Sequence, residues 1–380
     1  MTDEPQTAPG AGRTSSIQLQ QPEYRYLPSQ GDCRNESGAR GYNPQWMGVC
    51  GDLCGSDLKS ADLRGKDFSG ARFKNADLGG ARFDGAILRG ADFTEAMLAD
   101  VNFTGADLSD ATLADARLLG TILDKADLSR ADFRGAALHQ VNLRNARLQA
   151  TNFSGSKFFK VDFTGLDLRQ VHLHGADLSW CRLSGANLSE VNLSEGWFDQ
   201  SSLQGTLLEK ANLEKTRFLQ ADLTEAVLTL ANLRKAELSQ ARLHRARLSA
   251  ADLSEANLVG ADLSGADLRQ SNLRGANLMN AALKGSLLQG ADLGDAILYG
   301  ADLQKADLRG ANLRGVQMGE KGEVVALKAL DISFRPANLA GAIFDDKTQL
   351  PFDAAEAVNR KMVNAGRKMI KAVPLQLGTK

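Results

Sequence analysis

Residues 251–265 read Ala-Asp-Leu-Ser-Glu-Ala-Asn-Leu-Val-Gly-Ala-Asp-Leu-Ser-Gly, which is one five-residue unit written three times. On both sides of this stretch, from Leu53 to Leu313, every fifth residue is Leu or Phe without a gap, and Met318 adds one more position. The residue two before each of these is small, usually Ala, and the one between is commonly Asp, Asn or Arg. A period of five is neither the 3.6 of a helix nor the 2 of a strand.

Such a unit is explained by a short extended piece followed by a turn. In the extended piece the small residue and the Leu or Phe point to the same side. The next two residues, rich in Gly, Ser, Arg, Glu and Lys, turn the chain. Each unit then forms one side of a coil, in which the large residue fills the axis and the small one lets the walls approach. An amphipathic helix is disfavoured, because it would need apolar residues at i, i+3 and i+4.

This pattern of small residue, Asp or Asn, Leu or Phe and two further residues resembles the pentapeptide repeat family over about residues 51–318. The resemblance implies an all-β solenoid, a right-handed quadrilateral parallel β-helix with four units per coil. A 20-residue coil has support from the small slots, although a spacing of ten would also suit some of them: Val101, Thr121, Val141, Val161. The 54 large positions predict about 13 coils and a rod roughly 65 Å long.

Both ends of the rod are expected to be capped, because an end coil exposes unpaired backbone. Residues 1–50 contain no repeat. We predict a disordered tail over residues 1–20 and an N-terminal cap over residues 21–50, which contain four aromatic residues: Tyr24, Tyr26, Tyr42 and Trp46.

The register breaks after Met318, so residues 319–380 form a separate C-terminal region. Glu320–Arg335 is predicted to be an excursion, and Pro336–Phe344 to resume the repeat. Asp353 and Glu356 form a capping-box pattern ahead of one apolar stripe: Val358, Met362, Ala365, Met369, Val373. This predicts a short C-terminal α-helix that covers the last coil. Two alternatives stay open: a homodimer contact, which the family resemblance supports, and a basic membrane-surface helix.

Charge and composition exclude several classes of protein. The 45 Lys+Arg and 46 Asp+Glu residues give a formal net charge of −1, which argues against direct nucleic-acid binding. There is no run of about 18 apolar residues, so no transmembrane helix is predicted. The acidic start is not a secretory signal, and four cysteines are too few for a disulfide scaffold. A cytoplasmic protein with free thiols at Cys33, Cys50 and Cys54 is expected, with Cys181 buried in a small slot.

No residue is assigned a catalytic, cofactor-binding or metal-binding role. The carboxylates recur on outward positions with the repeat, and a straight rod has no cleft to shift their pKa values. The glycines fall at repeat turns rather than in a phosphate loop. His172 and His174 stack on Asn and Ser positions, so they are interpreted as surface residues. The sequence therefore predicts a protein that is not an enzyme and needs no cofactor.

Apolar side chains at outward positions are the candidates for partner binding. Trp180 and Trp197 are expected near one corner of adjacent coils, with Phe159 and Lys160 one coil below. Leu207 and Val227 stack one coil apart. Aromatic residues are common anchors at protein interfaces, and this chain has only 6% aromatic residues.

The preferred function is a non-enzymatic scaffold for protein–protein interaction, with a partner that the sequence does not name. The family resemblance offers an alternative, a DNA-mimicking binder of DNA gyrase or topoisomerase IV that protects against topoisomerase inhibitors. The repeat region has a net charge of only −3, whereas duplex DNA of that length carries roughly 38 charges. A local acidic patch near Asp57, Asp62 and Asp67 would be needed instead.

Overall fold

The computed structural model describes residues 52–319, 325–327, 332–334 and 336–365. The predictions for residues 1–50, with the tail, the cap, Cys33 and Cys50, therefore lie outside the described residues, as does Met369.

The described repeats form a coil in which each pentapeptide pairs in parallel with the one 20 residues later. The bridging residue is the one before each Leu or Phe. Ladder bonds run both ways, since Leu58 N–H donates to Asp77 O at 2.7 Å and Asp77 N–H donates to Ser56 O at 2.9 Å. The predicted right-handed quadrilateral parallel β-helix is confirmed.

Four columns of bridges define the four sides of the rod. We call them faces 1 to 4, starting respectively at Asp52, Asp57, Asp62 and Asp67 and continuing every 20 residues. Residues ten apart in the repeat therefore lie on opposite faces. Each face is one pentapeptide wide, so a partner that lies flat on the rod contacts few residues per coil.

The interior is filled by the two residue types that the period places inward. Ala76 and Leu78 are both fully buried, and the same holds for most other slots of the two kinds. Near the N-terminal end the axis is filled by phenylalanines: the Phe73 and Phe93 rings stack with centroids 4.7 Å apart, and those of Phe83 and Phe103 at 5.1 Å. Ring stacking one coil apart adds to the burial energy.

The polar residues of the repeat are explained by the turns. Asp67 Oδ1 accepts a hydrogen bond from Ser69 N at 2.9 Å, and this contact recurs wherever Asp or Asn precedes the large residue, because their short side chains satisfy turn amides. The last turn residue has a positive φ, for example +70° at Gly80. Gly adopts this conformation freely, while a bulky residue pays about 1 kcal/mol.

Side-chain ladders reinforce the backbone on face 1. Asn212 Nδ2 donates to Asn192 Oδ1 at 3.0 Å, and Asn232 Nδ2 donates to Asn212 Oδ1 at 3.0 Å. These three residues form an Asn ladder, and its role is structural.

Three consecutive coils pair over three residues instead of one. They form strands β1 (Arg117–Leu119), β2 (Ala137–His139) and β3 (Lys157–Phe159), joined in a parallel three-stranded sheet in the order β1-β2-β3. This sheet lies in the N-terminal half of face 2.

The ladder is interrupted at two levels of the rod. Within the described residues, the expected bridges are missing between Asn142 and Asp162, between Arg147 and Asp167, and between His172 and Asn192. At these levels the stacked residues in the small slots are larger than the usual pair of alanines: Val141 on Val161, Ala146 on Leu166, Val171 on Val191. Small pairs let neighbouring backbones reach hydrogen-bond distance, whereas two stacked valines hold them apart. Leu166 interrupts the ladder only toward Ala146, since Asn187 N–H still donates to Leu166 O at 2.9 Å.

The C-terminal region returns to the coil after an excursion. Strands β4 (Val325–Leu327) and β5 (Ile332–Phe334) pair antiparallel. The ladder then resumes, with Asn338 bridged to Asp302 and Ile343 bridged to Asp307. Strand β6 (Ile343–Phe344) pairs in parallel with β7 (Val363–Asn364) on the last coil.

Between these strands lies helix α1 (Ala354–Asn359), which is shorter than predicted. Asp353 Oδ1 accepts from Glu356 N at 2.8 Å, so the helix begins where expected. It ends early because Lys361 has a φ of +59° and Met362 N–H closes back on Ala357 O at 3.0 Å, a Schellman-type end. The predicted stripe from Val358 to Val373 is therefore wrong as a continuous helix.

Met362 follows the helix end and is buried, as is Ala357. Arg360 lies over the Phe352 ring at 4.8 Å and donates to Gly319 O at 3.2 Å. Val358 remains within α1. The segment thus packs on the end of the rod, and Met362 is not available for a dimer contact.

Candidate functional site

The structure separates the six residues that the sequence proposes for partner binding. Trp197 bridges Asp177 and Arg217, and Phe159 belongs to β3, so both lie on face 2. Lys160 and Trp180 occupy the turn that follows this face. Leu207 and Val227 bridge each other on face 4, on the opposite side of the rod: one flat partner cannot reach both groups.

The sheet β1–β3 gives face 2 a regular outer surface. Its register places Leu119 opposite His139 and His139 opposite Phe159. The His139 and Phe159 rings meet edge to face with centroids 5.9 Å apart, and Leu119 is 50% exposed. The result is a continuous row of apolar and aromatic side chains that crosses three coils.

Trp197 lies two coils beyond Lys157, in the column of bridging residues beside this row. The Arg217 guanidinium lies over its ring at 4.4 Å and forms an ion pair with Asp199. A cation above the ring holds the indole in place, yet 45% of Trp197 stays exposed. The side chain is therefore oriented in advance, with one surface open to a partner.

Trp180 sits at a turn position that favours glycine. Its φ is +64°, and 51% of the residue is exposed. A bulky residue in this conformation lowers the stability of the fold by about 1 kcal/mol. An exposed indole makes few contacts within the chain that would offset this loss. Other turns of the rod hold non-glycine residues in the same conformation, such as Leu230 at +61°, so it is the exposed indole and not the φ that sets Trp180 apart.

Sequence reasoning missed two members of this surface, Leu119 and Leu219. Of the 12 large apolar side chains that are exposed among the described residues, six lie on face 2: Met97, Leu119, Phe159, Trp180, Trp197 and Leu219. Leu119 and Leu219 occupy the position after the large residue, where polar side chains are more usual. A search of that position at a spacing of 20 would have found them.

The histidine and cysteine positions show structural contacts. In the described part of the chain, no three His, Cys, Asp or Glu side chains gather closely enough to hold a metal ion. His174 Nδ1 lies 3.0 Å from Ser194 Oγ, one coil away. Cys181 is buried in its small slot, and this burial raises the pKa of the thiol to about 12. A thiol that stays protonated is a poor nucleophile.

Comparisons with known proteins agree with this geometry. The family model for pentapeptide repeats matches overlapping stretches that together span residues 52–315. Among the curated proteins, none matches the chain significantly. The described residues include no helix with the length and apolarity that a membrane span requires.

Three solved structures are similar to this chain. HetL of Nostoc sp. strain PCC 7120, a pentapeptide repeat protein involved in heterocyst differentiation regulation, shows 29% identity over 66% of this chain and 88% of its own, with a TM-score of 0.19. A pentapeptide repeat protein of the Arabidopsis thaliana thylakoid lumen shows 24% identity over 37% and 71%, with a TM-score of 0.21. Full-length QnrB1, a plasmid-mediated fluoroquinolone resistance protein, shows 17% identity over 80% and 97%, with a TM-score of 0.15.

These likenesses are too low in TM-score to support an argument about function. The family assignment depends on the unbroken five-residue repeat and on the family model, which covers more than half of the chain. The chain therefore belongs to the pentapeptide repeat family.

Proposed function

We propose that this protein is a non-enzymatic β-solenoid scaffold that binds a protein partner through face 2, with Trp180, Trp197 and Phe159 as its anchors. One observation supports this most strongly: half of the exposed large apolar side chains of the described rod gather on one of its four faces. Exposed apolar side chains that cluster in this way mark interaction surfaces, while scattered ones need no explanation.

The exposure of the two tryptophans also supports a binding role for face 2. Trp180 is 51% exposed in a strained turn, and Trp197 is 45% exposed under a guanidinium. Neither position gains much from burial in the free rod, whereas a partner would cover both indoles. Tryptophan is enriched among the residues that dominate binding energy.

The double variant Trp180→Gly/Trp197→Ala tests this proposal. We expect the Kd for a partner isolated by chemical cross-linking to rise at least tenfold, because interface tryptophans often contribute about 2 kcal/mol or more. Stability should change little, since Gly relieves the positive φ at position 180. Titration calorimetry measures the affinity, and circular dichroism checks the fold.

Leu230→Gly is the matched control. Leu230 is also a large exposed side chain with a positive φ, but it lies on face 4. This variant should keep full affinity. Equal affinity of the tryptophan variant and the wild type would contradict the proposal.

DNA mimicry has less support as a second function. Asp57, Asp62 and Asp67 lie on three different faces and so do not form one patch. Asp62 is also neutralised by Arg64, 2.6 Å away, and the hydrogen bond from this arginine lowers the pKa of the carboxyl to about 2. Paired charges of this kind do not reproduce the field of a phosphate backbone.

A DNA gyrase supercoiling assay separates the two functions. We expect no inhibition and no protection from a quinolone at low micromolar protein, because the acidic groups are divided among faces and paired with arginines. The full-length chain should be titrated with and without the drug. Inhibition or drug protection would favour the DNA-mimicking function over the scaffold.

A further inference from the structure

A band in the N-terminal half of the rod differs in charge from the coils that precede it. Residues 52–115 contain 12 acidic and 7 basic side chains. From Phe133 to Val161 there is no Asp or Glu at all, while five basic side chains occur: Arg134, Arg144, Arg147, Lys157, Lys160. This acid-free band contains β2 and β3, so it includes the centre of the apolar row on face 2.

The cations beside this row lack carboxylate partners. Within the described residues, no Asp or Glu lies within 4.0 Å of the charged groups of Arg117, Lys157 or Lys160. The Lys160 ammonium is instead 5.1 Å from the centre of the Phe159 ring. Farther along the same face cations are paired, as Lys59 is with Asp77 at 2.9 Å. Three cations without a carboxylate partner therefore lie beside the exposed aromatic row.

The cations lie on both sides of the row formed by Leu119, His139 and Phe159. Arg117 and Lys157 precede the large residue of their units and Lys160 follows the row, so cations flank Leu119, His139 and Phe159. Arg117 and Lys157 are two coils apart, which is about 10 Å along the rod. Residues three apart in an extended peptide span about the same distance. The backbone of β2 is already paired on both sides, so recognition here depends on side chains.

We infer that face 2 binds an acidic, extended segment of a protein partner, whose carboxylates pair with Arg117, Lys157 and Lys160 and whose apolar side chains cover Leu119, Phe159 and the tryptophans. This inference rests on the proposed function and adds the chemistry of the partner. Complementary charge speeds association and selects the partner. A single-stranded nucleic acid is a poorer fit, because Asp100 and Asp177 bound the band on the same face and would repel a continuous phosphate chain.

Selection from a random dodecapeptide library on the immobilised full chain tests the inference. We expect enriched peptides to contain an excess of Asp and Glu together with at least one aromatic or Leu residue. A synthetic peptide of the enriched sequence should bind at least tenfold more weakly to Lys157→Glu/Lys160→Glu. Its affinity should also fall as salt is raised from about 50 to 300 mM, because exposed ion pairs are screened.

The control variant is Arg245→Glu/Lys284→Glu, which reverses two cations of face 3 outside the acid-free band. It should bind the peptide as the wild type does. A 20-nucleotide oligothymidylate is titrated in parallel by fluorescence anisotropy. Binding of this probe that is lost in the face 2 charge variant would overturn the inference in favour of nucleic acid.

The remaining outcomes distinguish this inference from the proposed function. If the enriched peptides are neutral or basic but lose binding to Trp180→Gly/Trp197→Ala, the acidic partner is excluded while face 2 remains the binding surface. If no peptide is enriched, or if binding survives both face 2 variants, the inference and the proposed function both fail.

Discussion

Replacing Phe93 with Ala is expected to lower the free energy of unfolding by about 3–5 kcal/mol. The Phe93 side chain is fully buried. Its ring stacks on Phe73 at 4.7 Å and meets Phe83 and Phe103 edge to face at 6.1 and 5.8 Å. The ladder bonds fix each wall to the coils before and after it. The walls therefore cannot collapse into the space, and the cavity would remain. Guanidinium denaturation followed by circular dichroism measures the loss.

Phe159→Ala is the matched control, because the same residue type is 37% exposed on face 2. We expect a change of about 1 kcal/mol or less. In a solenoid each coil contacts only its neighbours, so the Phe93 variant should lose the N-terminal coils first. A loss for Phe93→Ala no greater than for Phe159→Ala would show that the axis tolerates a cavity.

The amide hydrogens of Leu143 and Leu148 are expected to exchange with solvent about 100-fold faster than those of Leu123 and Leu128. Leu123 N–H donates to Asn142 O at 2.8 Å, and Leu128 N–H donates to Arg147 O at 2.9 Å. One coil later, the corresponding ladder bonds are missing. A factor of 100 corresponds to about 2.7 kcal/mol of local opening. Hydrogen exchange read by mass spectrometry measures it.

The double variant Val161→Ala/Leu166→Ala tests the cause. If bulky pairs in the small slots hold the coils apart, smaller residues should let the ladder close and slow the exchange of Leu143 and Leu148. Val101→Ala is the control, because Val101 stacks on Thr121 in an intact stretch, where Ile122 N–H donates to Val101 O at 2.9 Å. Equal protection of all four leucine amides in the wild type would contradict the interruption.

The candidate site was only partly predictable from the sequence. Trp180, Trp197 and Phe159 are predictable because large aromatic residues are rare at outward positions of this repeat, and Lys160 because it is next to Phe159. Leu119 and Leu219 were missed, because an outward leucine is not unusual on its own. Their importance comes from the column that they share with Phe159, and this column exists only once coils are stacked.

The C-terminal segment shows a similar limit. The start of α1 was predictable, because a capping side chain acts within one turn of the helix. Its end was not, since the apolar stripe continues to Val373 in the sequence. The helix ends before Lys361 because Val363 N–H donates a hydrogen bond to Ala342 O, 2.8 Å away on the last coil. That contact joins residues from two neighbouring coils, so it is not visible in the local sequence.

The sequence by itself determined the coil and its interior. A five-residue step decides which side chains point inward, and inward orientation is a local property of one extended unit and one turn. Tertiary structure alone decided which outward residues share a face, which cations lack a partner, and where the ladder is interrupted. Each of these depends on contacts between residues 20 apart, and their energy is set by both members of a stacked pair.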